Sequence, residues 1–241
     1  MENVRQIVKD IINGIEGFLT ENEGVFLYNM AKNCQGKREV IVEVGSWKGK
    51  STVCLGKGSK AGNKIKIYAI DPHKDTSTQK LYGIASSYEE FKNNIQSAGV
   101  DDIIFPIIKT SQDVAQILNE PIEFLFIDGE HDYEMVRLDF ELWYPKVIYG
   151  GLIAFHDYYF SGPRKVIEKY ILFGSKHFKD IRIVDSIFLV RKVEKNSIKD
   201  RIINIFLFFI YKCRDLYYTL PFSKPKINLI NKILRILKIM K

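Results

Sequence analysis

The chain is poor in the features that mark several common protein classes. It has three cysteines in 241 residues, Cys34, Cys54 and Cys213, far apart and without a Cys-x-x-Cys pair. That count argues against a disulfide framework or a structural zinc site, and it predicts reduced thiols in a cytoplasmic protein. Long apolar runs are missing too. The stretch Ile202 to Tyr211 has ten residues, about half of the roughly 20 that a membrane-spanning helix needs. The opening Met1-Glu-Asn-Val-Arg5 lacks the basic-then-apolar layout of a signal peptide. There is no internal repeat and no low-complexity linker. Core-forming residues are plentiful, at 46% hydrophobic. The length suits one sizeable domain with an appendage, and wholesale disorder is excluded.

The net charge of +7 is unevenly spread. Residues 1–194 carry 25 Lys+Arg against 27 Asp+Glu, whereas residues 195–241 carry 11 against 2. The basic excess therefore lies in the last 47 residues, and a basic tail on a near-neutral body implies an anionic partner surface. Beyond Leu220-Pro221, Ile227, Ile230, Leu234 and Leu237 fall on one helical face, with Lys232, Arg235 and Lys238 on another. That pattern suits a basic amphipathic helix lying on an anionic membrane surface, or equally an arm packed on the body or on a second subunit. Isoleucine dominates residues 224–241 and base-stacking aromatics are absent from them, which argues against nucleic acid.

Apolar strands alternate with helices along the body. Residues 1–36 read as two helices flanking or covering a site, residues 37–194 as the main domain and residues 195–241 as the helical tail. Strands are expected at Val40–Val44, Lys64–Ile70, Ile103–Ile108, Ile122–Ile127 and Leu152–Phe155. A closing hairpin of Asp180–Val184 and Ile187–Val193 turns at Asp185-Ser186. Helices are expected at Ser86–Ser97, Val114–Leu118, Glu134–Trp143 and Pro163–Phe173, and a polar stretch runs to Leu81. This order predicts an α/β fold, a Rossmann-like, doubly wound, mostly parallel seven-stranded sheet with an antiparallel strand from the C-terminal hairpin.

In such sheets ligands sit beyond the carboxyl ends of the strands. The first strand runs into Glu43-x-Gly45-x-x-x-Gly49-x-Ser51. A strand that ends in glycines and feeds a helix presents unpaired N–H groups and a positive dipole end, a seat for an anionic or nucleotide-like cofactor. Asp71 ends the second strand, 26 residues after Gly45, where an acid can accept ribose hydroxyls. The glycine spacing differs from the G-x-G-x-x-G of dinucleotide folds, and bulky Trp47 and Lys48 leave no evident pyrophosphate seat. The other strand ends carry Asp128-Gly-Glu-His131 and His156-Asp157. Two carboxylates on adjacent strand ends repel unless something positive lies between them, and a divalent cation is the usual solution.

The glycine pattern resembles motif I of class I S-adenosylmethionine (SAM) methyltransferases. Phe124-Leu-Phe-Ile-Asp-Gly-Glu-His-Asp-Tyr133 and Gly150-Gly-Leu-Ile-Ala-Phe-His-Asp157 resemble the metal-dependent O-methyltransferases of sugars and small molecules. That family includes the macrolide-sugar methyltransferases and cephalosporin hydroxylase-like proteins, and the resemblance runs over roughly residues 38–193. It implies SAM as cofactor, held by Glu43, Gly45, Ser46, Trp47, Gly49, Ser51, Asp71, Ser111 and Asp128. It implies a Mg or Mn ion on Asp128 and Asp157, and His131 as the general base beside Asp128. The family has an acid at the position of His156, so a third ligand His156 would favour Mn²⁺, Fe²⁺ or Zn²⁺ over Mg²⁺. The expected reaction is methyl transfer to a hydroxyl of a sugar, glycan or related small molecule. A nicotinamide-dependent oxidoreductase and a non-catalytic membrane-docked scaffold are the alternatives. Homo-oligomerisation stays open.

Overall fold

The computed structural model describes residues 3–36, 38–74, 83 and 86–219, and the side chains of 211–219 are not included. Two helices come first, α1 (Val4–Gly14) and α2 (Glu21–Asn33). There follow β1 (Val40–Val44), α3 (Lys50–Ala61), β2 (Ile67–Ile70), α4 (Tyr88–Ser97), β3 (Ile104–Ile107), α5 (Ser111–Ile117) and β4 (Ile122–Ile127). The second half holds α6 (Tyr133–Trp143), β5 (Val147–Phe155), α7 (Ser161–Val166, continuing as a wider turn over Ile167–Leu172), β6 (Phe178–Val184), β7 (Ile187–Lys192) and α8 (Ile198–Thr219).

The seven strands are ordered β3-β2-β1-β4-β5-β7-β6. The first five pair in parallel, and β7 enters antiparallel between β5 and β6. This is the doubly wound arrangement the alternation of apolar runs predicts. Strands covered on both faces read as continuous apolar runs, and β1 and β4 do so. Alternate residues serve opposite layers. Val42, Val44, Leu125 and Ile127 pack beneath α5, α6 and α7, while Ile41, Phe124 and Phe126 pack against the layer of α1 to α4.

Two expectations change. The fifth strand starts at Val147, five residues before the expected Leu152. Gly150-Gly151 forms a bulge inside it, with Ile122 opposite Val147 and Phe124 already opposite Leu152. Gly150 holds φ +90°, so the pair absorbs an irregularity within the strand and does not precede it. The other change concerns residue 195 as a boundary. Helix α8 buries Leu207 and Phe208 in the core. The amides of Asn196 and Asn204 both donate to the Phe178 carbonyl, at 2.6 and 3.0 Å. The start of the tail thus packs as part of the body. The expected helix over 224–241 and the polar stretch before Leu81 lie outside the described residues.

Candidate active site

The tips of β1, β2, β4 and β5 open onto one cleft of about 460 Å³, closed on one side by Glu16–Leu19 from the α1–α2 connection. Its floor depends on Gly45. This residue has φ +86°, and a Cβ there would stand 2.2 Å from the Asp128 carbonyl oxygen. Only glycine lets the β1 turn pass so close to the end of β4. Gly49, at φ +85°, precedes α3 without any side-chain cap, so the first amides of that helix keep their hydrogen-bonding capacity for a ligand. The buried Ser46 hydroxyl also has no hydrogen-bond partner among the described residues. Together with the uncapped helix end, it gives the cleft the donors a carboxylate-bearing, nucleoside-sized cofactor such as SAM requires.

Asp71 is buried at the cleft wall and fastens this loop. One carboxylate oxygen accepts the Ser46 and Trp47 amides at 3.0 and 2.8 Å, and the other accepts the His73 amide at 2.6 Å. The residue expected to face a ribose therefore also holds the glycine turn in shape. Trp47 does not obstruct the cleft centre. Its ring stacks on Phe18 with centroids 5.7 Å apart, while Lys48 turns aside to pair with Glu16 and Glu90 at 2.7 and 2.8 Å. Ser51 and Ser111 line the cleft, and Ser111 accepts the Trp143 indole N–H at 2.7 Å.

Glu43 does not sit in the cleft. It is fully buried behind the β1 turn, where it accepts a short hydrogen bond from the Thr52 hydroxyl. Burial pushes its carboxyl up to about 8, against the opposing pull of Ser51 and Thr52. The side chain is a neutral acid near pH 7 that ties β1 to α3, because strand alternation turns residue 43 toward the helix layer.

At the other end of the cleft the geometry is made of charges. His131 Nε2 lies 3.0 Å from Asp157 Oδ2. His156 Nδ1 lies 3.0 Å from Asp128 Oδ1 and 3.3 Å from Asp157 Oδ2. Its Nε2 faces Glu23 Oε2 at 3.6 Å. Burial alone would lower the His156 pKa, but the surrounding acids, Asp128 foremost, raise it well above the ordinary histidine range. An imidazolium thus stands between the two aspartates whose repulsion called for a positive charge. Burial raises Asp128, partly offset by His156, whereas hydrogen bonds from His131 and His156 outweigh burial at Asp157 and lower it. The Asp157 hydrogen bond raises His131.

The candidate metal set also shifts. Asp128, His131 and Asp157 each offer one ligand atom, all within 4.8 Å of one another. His156 instead turns its Nδ1 onto the carboxylates as their counter-ion. Two carboxylate oxygens and an imidazole nitrogen fit a divalent ion such as Mn²⁺. A ligand His131, however, could not also serve as the base.

Sequence reasoning missed Glu16, Phe18, Glu23 and Asp139. Asp139 lines the cleft from α6, and burial pushes its carboxyl up to about 6. For Glu23 the sequence carried a signal of a different kind, the Thr20-x-x-Glu23 capping box that starts α2. Nothing local announced that the same carboxylate reaches the strand tips.

Residues 42–158 match the model of a methyltransferase domain family. The chain is 32% identical over 145 residues to the uncharacterized protein R132 of Acanthamoeba polyphaga mimivirus, covering 55% of this chain and 57% of that protein. Among solved structures, it is similar to an O-methyltransferase from Bacillus cereus in complex with SAH, the demethylated form of SAM. That match has 18% identity and a TM-score of 0.57, covering 80% of this chain and 92% of the other. It is also similar to the O-methyltransferase TomG from Streptomyces achromogenes in complex with SAM, with 13% identity and a TM-score of 0.56, covering 80% and 91%. Sheet order and glycine turn agree with these matches: the chain has the fold of the O-methyltransferase structures it is similar to, and its residues 42–158 are similar to a methyltransferase domain.

Proposed function

We propose that this protein is a SAM-dependent O-methyltransferase acting on a hydroxyl of a sugar, glycan or related small molecule. The observation that carries the reading is the His131–Asp157 pair, 3.0 Å apart, at the end of the cleft away from the Asp71 wall. SAM, when bound, supplies an electrophilic methyl group on a sulfonium. The Gly45–Lys48 turn and the open end of α3 hold its anionic end, and Asp71 stands where ribose hydroxyls need an acceptor. With Nε2 engaged by Asp157, His131 keeps Nδ1 for the proton of an acceptor hydroxyl. Asp157 fixes the ring and raises its basicity, and the buried His156 covers one side of the carboxylate.

A divalent ion is a second reading, favoured by the Asp128, His131 and Asp157 cluster. Those side chains would hold it, and it would lower the pKa of a bound hydroxyl. Localisation is part of the proposal. No helix among the described residues is long and apolar enough to cross a membrane. The 11 Lys+Arg of residues 195–241 support a peripheral position on an anionic membrane surface, with the acceptor held there.

The test has two stages. Calorimetry should show micromolar binding of SAH and none of NADH. The reverse result would overturn the cofactor assignment. Transfer of labelled methyl from SAM should then be followed over neutral sugars, nucleotide sugars and phenols, with and without exhaustive chelation. Transfer confined to phenols would refute the sugar acceptor, and full activity after chelation would refute the ion.

A further inference from the structure

We propose that Glu23 is a positioning residue for the acceptor end of the site. From the N-terminal helices it holds His156, and through His156 the carboxylates of Asp128 and Asp157 and the ring of His131. The inference rests on reading that cluster as the acceptor end. A capping-box glutamate needs only its own helix start and commonly stands in solvent. Glu23 is 1% exposed, and a carboxylate so buried is costly unless its oxygens are engaged. They are engaged from several directions. Oε2 accepts the Thr20 amide at 2.8 Å, and Oε1 accepts the Ser186 amide at 2.7 Å and the Ser186 hydroxyl at 2.5 Å. The remaining face of Oε2 looks onto His156 Nε2 at 3.6 Å.

His156 therefore meets acids on both sides, within hydrogen-bond distance at Nδ1 and at ion-pair distance, 3.6 Å, at Nε2. Three carboxylates from three distant segments surround one ring, and the edge of that ring meets Phe126 at 6.1 Å. With acids at both nitrogens, rotating the ring about χ2 would break its contacts to Asp128 and Asp157 together. Without Glu23 the ring loses its charged neighbour on the Nε2 side, and its hold on Asp157, and through it on His131, is weaker. The bland alternative is that Glu23 only anchors α2 to the β6–β7 turn through Ser186.

Nitrogen NMR of the full-length, ¹⁵N-histidine-labelled protein with SAH bound separates the two. Its four histidines, His73, His131, His156 and His177, are assignable by single substitutions. In the wild type, both ring nitrogens of His156 should carry slowly exchanging protons. Glu23→Gln keeps acceptors for Ser186 but removes the charge. It should speed exchange at His156 Nε2 and shift the His156 and His131 rings, leaving His177 in place and SAH affinity within about twofold. Ser186→Ala should lower the melting temperature without moving His131. Unchanged His131 and His156 rings in Glu23→Gln, or a wild-type His156 without an Nε2 proton, would overturn the proposal. If Glu23→Gln fails to fold, Glu23→Asp must displace the same two rings. A wild type that binds no SAH would sink the cofactor reading instead, a distinct outcome.

Discussion

The two ends of the cleft are built on different principles. At the Gly45 end the chain uses its backbone: two glycines in left-handed geometry, a helix start without a cap, and Asp71 accepting three amides. At the Asp157 end it uses side chains, with Glu23, His156, Asp128, Asp157 and His131 linked by contacts of 3.0 to 3.6 Å. A backbone seat suits a ligand that stays the same from one turnover to the next. A charge network can be retuned by one substitution, which suits the end proposed to match an acceptor and move a proton.

The sharpest way to break this contrast is at the charged end. Asp157→Asn and His131→Ala should each lower turnover by about 10²–10⁴-fold, the usual contribution of a positioned base. SAH affinity by calorimetry should hardly change, and a comparable loss in affinity would show that the two ends are not separate. The Asp157 hydrogen bond raises His131 above its ordinary 6.5. The rate should therefore rise with pH through an inflection above that value, and Asp157→Asn should bring the inflection down. Next in size is Gly45→Ala. Its Cβ would press on the Asp128 carbonyl in a left-handed backbone, so stability should fall by about 2–4 kcal/mol in thermal unfolding. Asp71→Ala should then weaken SAH binding by about 1–3 kcal/mol, and lower the melting temperature as well, since the Ser46, Trp47 and His73 amides lose their acceptor.

Legibility in the sequence follows the same line. The glycine turn, Asp71 and the strand tips could be read because backbone geometry leaves local marks: apolar runs that stop, glycines at fixed offsets, an acid at a strand end. His156 was read as a third ligand because no local pattern shows that its Nδ1 turns onto Asp128 and Asp157 as their counter-ion. Glu43 was misplaced for a simpler reason, since a strand residue one step from its neighbours faces the opposite layer. The bulge at Gly150-Gly151 was missed because a glycine pair announces a bend without saying whether the strand continues through it.

Smaller effects probe the charge network from solution. Burial alone would raise Glu23, but the nearby charge of His156 and hydrogen bonds from Ser186 and the Thr20 amide outweigh it and hold the carboxyl at about 2 instead of 4.5. A group lowered by folding stabilises above its ordinary value and loses that contribution as pH falls. The melting temperature should therefore drop as pH falls from about 4.5 toward 2, less steeply in Glu23→Gln. The smallest expected change in stability comes from deleting residues 220–241. The core packing of Leu207 and Phe208 would remain, while co-sedimentation with anionic vesicles should fall, each basic residue contributing on the order of 1 kcal/mol. Equal vesicle binding with and without the segment would count against the membrane proposal.

The hydrogen bond from Ser186 to Glu23 joins residues 163 positions apart, and that span has a temporal meaning. A chain emerging from the ribosome can form α1 to β4, glycine turn included, long before the last hairpin exists. The acid on α2 must wait for Ser186 to arrive, and closing so long a loop is a late and slow event in folding. Cofactor-binding geometry should thus mature ahead of chemical competence. On the proposed reading, the seat for the cofactor would take shape before the contact that holds the acceptor end.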